Sequence, residues 1–201
     1  MAKRGQVYKR GVHAGPGEGR ITVVGAGPAA AVEETVNFPH APSTTRETDD
    51  WYTPPAVFHW LGAVGNTFDM DVCSPGPLIV PWVPAKEHVT PSQDGLKTPW
   101  RGLVWCNPPY STVAQWVARF LGHGNGVILT NASCDTAWFQ RLVHDPCAVF
   151  FPAGRVRFIH GGTMKASKAP PRPQVLVGIG AGEALVRVAQ DRGRGTLLVR
   201  H

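Results

Sequence analysis

No stretch of the 201 residues approaches the about 18 consecutive apolar side chains of a membrane span, and the basic start MAKRGQVYKR runs into glycine and alanine, not an apolar segment. A spanning helix and a secretory leader are therefore not expected. Cysteine is scarce: Cys73, Cys106, Cys134 and Cys147 form no CxxC pair, and the eight histidines are scattered. This pattern predicts reduced thiols and no metal centre. Charge is sparse as well, at 17% of residues against 43% apolar, so a chain of this length can bury one sizeable core. Acidic residues are missing altogether between Asp145 and Glu183. Residues 146–201 hold nine Lys and Arg against two acidic residues, whereas residues 1–50 are balanced and residues 51–145 carry −1. The excess positive charge is C-terminal, which suits a polyanion such as nucleic acid as well as an ordinary solvated surface.

What the chain has in plenty is glycine (23) and proline (19), concentrated first in residues 1–48, which read as a poorly ordered leader. The leader includes Ile21-Thr22-Val23-Val24 followed by Gly25-Ala26-Gly27-Pro28-Ala29-Ala30, half of a dinucleotide fingerprint. The second half, a strand ending in an acidic residue, does not follow, because Pro39 and Pro42 stop the helix and residues 43–50 are polar. At Trp51 the composition changes, and a domain is expected over residues 49–182, with 183–201 as a basic C-terminal segment. Thr53-Pro54-Pro55 predicts a helix to Leu61 with Thr53 as N-cap and Gly62 as stop. Strands are predicted at Phe68–Cys73, Leu78–Val80, Leu103–Cys106, Val127–Thr130, Ala148–Phe151, Val156–Ile159 and Val175–Ile179. Helices are predicted from Thr112 to Leu121 and from Asp135 to Val143, the latter capped by Asp135 or Ser133. Alternating strands and helices with closing strands argue an α/β fold with a mainly parallel sheet and closing antiparallel strands. Ligands of such sheets bind beyond the carboxyl ends of the strands.

At one such end stands Asn107-Pro108-Pro109-Tyr110, followed by Ser111. Two successive prolines fix their own φ angles and remove two backbone donors, leaving a rigid turn whose exposed polar atoms accept hydrogen bonds. The Asn107 side-chain oxygen and the Pro108 carbonyl can then receive both hydrogens of one amino group. On a nucleobase, that pulls the nitrogen lone pair out of the ring and towards an in-line methyl sulfonium. Placing the two reactants together is worth about 7–11 kcal/mol without a base, metal or covalent nucleophile. Tyr110 offers a face for an extruded base, and such stacking is worth about 1–3 kcal/mol. A bare stop signal after a strand is the alternative reading of the two prolines.

The residues from about Asp50 to Gly180 resemble the phage-type, Dam-like DNA adenine-N6 methyltransferases. The likeness runs through Asp50-Trp51-Tyr52-Thr53-Pro54, Phe68-Asp69-Met70-Asp71-Val72-Cys73, Asp94-Gly95-Leu96 with Trp100, Val104 to Ser111, and Gly154-Arg155-Val156-Arg157-Phe158, in the family's order. It implies a Rossmann-like methyltransferase fold, S-adenosylmethionine as cofactor, double-stranded DNA as partner and a cytoplasmic, phage- or prophage-encoded enzyme of a bacterial host. It further implies catalytic roles for Asn107, Pro108, Pro109 and Tyr110, and cofactor contacts for Trp51, Tyr52, Thr53, Pro54, Asp71 and Asp94. Asp69 shares a strand face with Asp71 and is its alternative. Tyr52 and Thr53 also read as a helix cap with an aromatic staple, and Asp94 as an exposed loop residue. Ser111, Arg155, Arg157, Lys165, Lys168 and Arg172 are the candidate DNA contacts, or else a solvated basic face. The chain departs from broader methyltransferases after Asp71, where Ser74-Pro75-Gly76-Pro77 replaces a glycine-rich turn. Methylation of cytosine N4, an RNA base or a protein amide stays open, as do a non-catalytic nucleic-acid-binding protein and a flavin or nicotinamide enzyme using Gly25–Ala30.

Overall fold

The computed structural model describes residues 50–144, 147–167 and 172–200; the leader over 1–48, its Gly25–Ala30 turn and Lys168 lie outside them. In chain order the elements are β1 (Trp51–Tyr52), α1 (Pro55–Leu61), β2 (Phe68–Asp71), β3 (Ala85–His88), β4 (Val104–Cys106), α2 (Val113–His123) and β5 (Gly126–Asn131). There follow α3 (Ala137–Leu142), β6 (Cys147–Pro152), β7 (Ile159–His160), β8 (Gln174–Ile179), α4 (Gly182–Asp191) and β9 (Gly195–Arg200). Seven strands form one sheet in the order β3-β2-β4-β5-β8-β6-β9, and β1 pairs with β7 in a two-stranded ribbon.

Period-two alternation sends neighbouring apolar residues to opposite faces of the sheet, and helices cover both. Phe68, Trp105, Val127, Leu129, Phe150 and Leu176 face α1 and α4, which contribute Val57, Phe58, Leu61, Val186 and Ala189. Met70, Val104, Cys106, Ile128, Val175 and Val177 face α2 and α3, which contribute Val113, Trp116, Val117, Phe120, Phe139 and Leu142. On the first face Trp105 meets Phe58 at 4.8 Å and Phe68 at 5.6 Å between ring centroids. Glycine is required where α4 starts against β5, since a Cβ on Gly182 would stand 1.8 Å from the Gly126 carbonyl oxygen.

The architecture is mixed α/β, and the sheet is a mixed one in which antiparallel strands complete a parallel set. The β2–β3, β2–β4 and β4–β5 pairs are parallel, whereas β8 runs back between β5 and β6 and β9 is antiparallel to β6. Leu78–Val80 is a turn, not a strand, with Leu78 96% exposed. The edge strand is instead β3, whose Lys86 and Glu87 conceal it from an apolar pattern. Residues 155–158 form no strand; only Ile159–His160 of that stretch pairs. Pro54, not Thr53, is the N-cap of α1, and Thr136, not Asp135 or Ser133, caps α3 by accepting from the Phe139 N–H at 3.4 Å. The basic C-terminal stretch gains α4 and β9, and β9 turns Leu197 and Val199 towards the core while Thr196, Leu198 and Arg200 face out.

Candidate active site

β2 and β4 are parallel neighbours with Asp71 opposite Trp105, so the carboxyl ends of both strands open on the same side. A cavity of about 230 Å³ lies there, walled by Asp71 to Pro75, Asn107, Pro109, Trp51 to Thr53, Asp94, Gly95 and Trp116. This is where a parallel sheet offers its strand ends to a ligand.

The short β4 strand is buried, and its last residue, Cys106, hands the chain directly to Asn107. The Asn107 Nδ2 donates to the Trp51 carbonyl at 2.9 Å. A carbonyl can only accept, so this bond fixes which way the amide points and leaves Oδ1 as its acceptor end. The bond also ties the turn to β1. Pro108 is buried, Pro109 precedes a 3-10 turn over Tyr110–Thr112, and Ser111 is exposed. The Tyr110 ring is half-buried, but its hydroxyl is fully buried and lacks a hydrogen-bond partner. Burial pushes that phenol above its usual range.

The remaining wall combines buried polar groups with aromatic surface. Asp71 is 3% exposed; one carboxylate oxygen accepts from the Cys73 N–H at 3.3 Å, and the other lies 3.6 Å from His88 Nδ1. Thr53 and Trp116 are buried, and neither Thr53 Oγ1 nor Trp116 Nε1 has a partner. Trp116 stacks on Trp100 at 6.3 Å, Trp100 donates to the Gly95 carbonyl at 2.7 Å, and Arg119 lies 5.2 Å over the Trp100 ring. The loop carrying Asp94 and Gly95 is thus clamped to α2. Asp94, in a left-handed conformation at φ 56°, spends one oxygen on Lys97 at 2.8 Å. The Lys97 hydrogen bond, more than the Leu96 N–H, holds its carboxyl below the usual range. Asp69 does not line the cavity; it accepts from Lys86 at 2.7 Å and from the Leu103 N–H at 2.8 Å, which makes it a brace between strands.

A family model described as DNA N-6-adenine-methyltransferase (Dam) matches residues 41–181. The chain belongs to the Dam family. Comparison with curated proteins and with solved structures gives no match. Membership places the chain among DNA adenine-N6 methyltransferases, and every residue of the cavity wall falls inside the matched segment.

In this Dam-family chain the structure unites Trp51, Tyr52, Thr53, Asp71, Asp94, Asn107 and Pro109 around one cavity, whereas Pro54, Pro108 and Tyr110 stand beside it. Tyr52 pairs with Ile159, Trp51 packs edge-on against His160 at 4.9 Å, and burial raises the Tyr52 phenol above its usual range. The ribbon therefore brings Ile159 and His160 against two residues of the cavity wall, with residues 155–158 leading into it. There Arg155 and Arg157 are exposed and alternate with buried Val156 and Phe158, and Lys165 and Arg172 are exposed too. Periodicity marks Trp116 only as a core residue of α2, and the fold alone shows it and Ser74 at the cavity, with His88 behind Ser74 and Asp71. Among the described residues no His, Cys, Asp and Glu cluster is fit to hold a metal ion, and no helix is long and apolar enough to cross a membrane.

Proposed function

We propose that this chain transfers a methyl group from S-adenosylmethionine to N6 of an adenine flipped out of duplex DNA, on a Rossmann-like framework. The observation that carries the proposal is the Asn107 amide, locked by the Trp51 carbonyl so that Oδ1 stays an acceptor at the cavity wall. The residues present fit the cofactor. A buried carboxylate without a Lys or Arg partner among the described residues favours a cationic or hydroxyl-bearing ligand, which Asp71 would hold. Two buried polar atoms without partners, Thr53 Oγ1 and Trp116 Nε1, are in the same walls.

When bound, S-adenosylmethionine supplies an electrophilic methyl group. The chain's own work is positional. Asn107 Oδ1 and the Pro108 carbonyl accept the two hydrogens of the adenine amino group, which returns the nitrogen lone pair to the attacking direction. Tyr110 stacks on the base and offsets part of the few kcal/mol that flipping costs. Ser111, Arg155, Arg157, Lys165, Lys168 and Arg172 hold phosphates, the direction in which the acid-free stretch after Asp145 points. The enzyme so described works on DNA in the cytoplasm of a bacterial cell. Incubation with duplex DNA and methyl-labelled S-adenosylmethionine, digestion to nucleosides and identification of the labelled base test the proposal. Label in N6-methyladenine supports it; label in N4-methylcytosine corrects the base, and label absent from DNA refutes it.

A further inference from the structure

The turn after β2 is built unlike its surroundings. Ser74, 1% exposed, accepts from the Gly76 N–H at 3.1 Å through its hydroxyl and bonds His88 Nδ1 at 2.8 Å. Gly76 sits at φ 119°, a conformation that suits glycine, so the serine hydroxyl caps a turn no other sequence adopts easily. The backbone stitches the same place twice: Ser74 N–H donates to the Val89 carbonyl at 3.1 Å, and Val89 N–H donates to the Asp71 carbonyl at 2.9 Å. His88 is directly opposite Asp71 in the parallel β2–β3 register, and its side chain is 8% exposed.

The same nitrogen that bonds Ser74 lies 3.6 Å from Asp71 Oδ2, too long for a hydrogen bond but close enough to feel the charge. The Ser74–His88 bond thus lies beside the carboxylate, on the face of the sheet that Asp71 shares with His88. Apart from the Cys73 N–H at 3.3 Å, no hydrogen bond among the described residues holds the Asp71 side chain. The carboxylate leaves the strand at the start of this turn, and the Ser74–His88 bond is the side-chain tie that joins the turn to β3.

We propose that Ser74 and His88 are positioning residues for the cofactor: together they brace the Ser74–Pro77 turn so that Asp71 meets the positively charged, hydroxyl-bearing ligand of the cavity. This rests on the methyltransferase reading and adds to it the device that stands in for a glycine-rich turn. The pair acts through Asp71, so losing the bond weakens cofactor binding and spares the chemical step.

The test titrates the full chain with S-adenosylmethionine by calorimetry, for wild type, His88→Leu, His88→Asn and Ser74→Ala, with kcat and KM measured in parallel and a thermal melt of each protein. His88→Leu removes the bond; His88→Asn puts an amide near the place of Nδ1, where it can donate to or accept from the Ser74 hydroxyl. The expected result is about tenfold weaker binding and a matching rise in KM for His88→Leu and Ser74→Ala, the share of one lost hydrogen bond, with kcat kept at saturation. His88→Asn is expected to restore most of the affinity, which a general packing defect would not allow. Wild-type affinity in both His88→Leu and Ser74→Ala, or a fall in kcat with KM unchanged, overturns the inference. A wild-type protein that binds no S-adenosylmethionine instead overturns the methyltransferase reading on which it stands.

Discussion

Replacing Tyr110 by Phe removes a hydroxyl that is fully buried and has no hydrogen-bond partner, while keeping the ring. An unsatisfied buried polar group costs about 1–3 kcal/mol, and the loss of one oxygen leaves little void, so the substitution is expected to stabilise the fold by about 1 kcal/mol. For a chain of this size that corresponds to a rise in Tm of about 2–4 °C. Methyl transfer should persist within about threefold, because the face proposed to stack on the base is kept and the hydroxyl makes no bond to the turn. Linkage gives a second readout. Burial raises the folded-state pKa of Tyr110 above the ordinary phenol value, so its contribution to stability is fully present below about pH 10 and is lost as pH rises towards the folded pKa. Urea melts at pH 8 and pH 10.5 should therefore show a smaller alkaline loss for Tyr110→Phe than for wild type. A lower Tm, or a tenfold loss of transfer with cofactor binding intact, would show that the hydroxyl has a partner in the working enzyme and refute the reasoning.

A Cβ on Gly95 would stand 2.1 Å from the Val72 carbonyl oxygen and 2.8 Å from the Trp116 ring. Gly95→Ala must therefore push the Asp94 loop away from α2, with a stability loss of about 1–3 kcal/mol and weaker S-adenosylmethionine binding, measured by melting and calorimetry. Lys86 first, then the Leu103 N–H, hold the Asp69 carboxyl below its usual range, so its contribution is present above the ordinary carboxylate pKa and fades as pH falls through the lowered value. Asp69→Ala should accordingly flatten the acid limb of a stability-against-pH curve while leaving cofactor affinity unchanged. Arg157→Ala should weaken duplex binding to all sequences alike and reduce the slope of log K against log salt by about 1, as read in a fluorescence titration at several salt concentrations.

The parts of the fold that can be read from the sequence are those in which local pattern and burial agree. Val113, Trp116, Val117 and Phe120 share one face of α2, and the apolar run before Asn107 is the buried strand β4. β3 escapes because its Lys86 and Glu87 side chains face solvent at a sheet edge, where apolar alternation is not needed. The exposed Leu78 and Ile79 mislead in the opposite sense, since Val80 is the residue of that trio buried in the core. α4 and β9 were legible in principle: Leu197 and Val199 alternate with outward residues, but arginine at 187, 192, 194 and 200 draws attention to charge. At the site, the place of Asn107 and Pro109 at the end of β4 can be read from the sequence, but the Trp51 carbonyl that orients the Asn107 amide comes from tertiary placement. The choice between Asp69 and Asp71 cannot be read there either, because only the strand pairing shows that Asp69 braces Leu103 while Asp71 reaches the cavity. Nor could spacing show that Lys97 binds Asp94 or that His88 lies opposite Asp71, both being matters of tertiary placement.

The most direct measurement is the labelled methyl-transfer reaction on duplex DNA run side by side with wild type and Asn107→Ala, after calorimetry has shown that both bind S-adenosylmethionine. Because the proposed mechanism makes Asn107 Oδ1 one of two acceptors for the adenine amino group, the expected result is N6-methyladenine from wild type and at least a hundredfold less from the variant, about 3 kcal/mol of lost transition-state stabilisation. Equal label from the two proteins, or label on any atom other than adenine N6, would contradict the central claim.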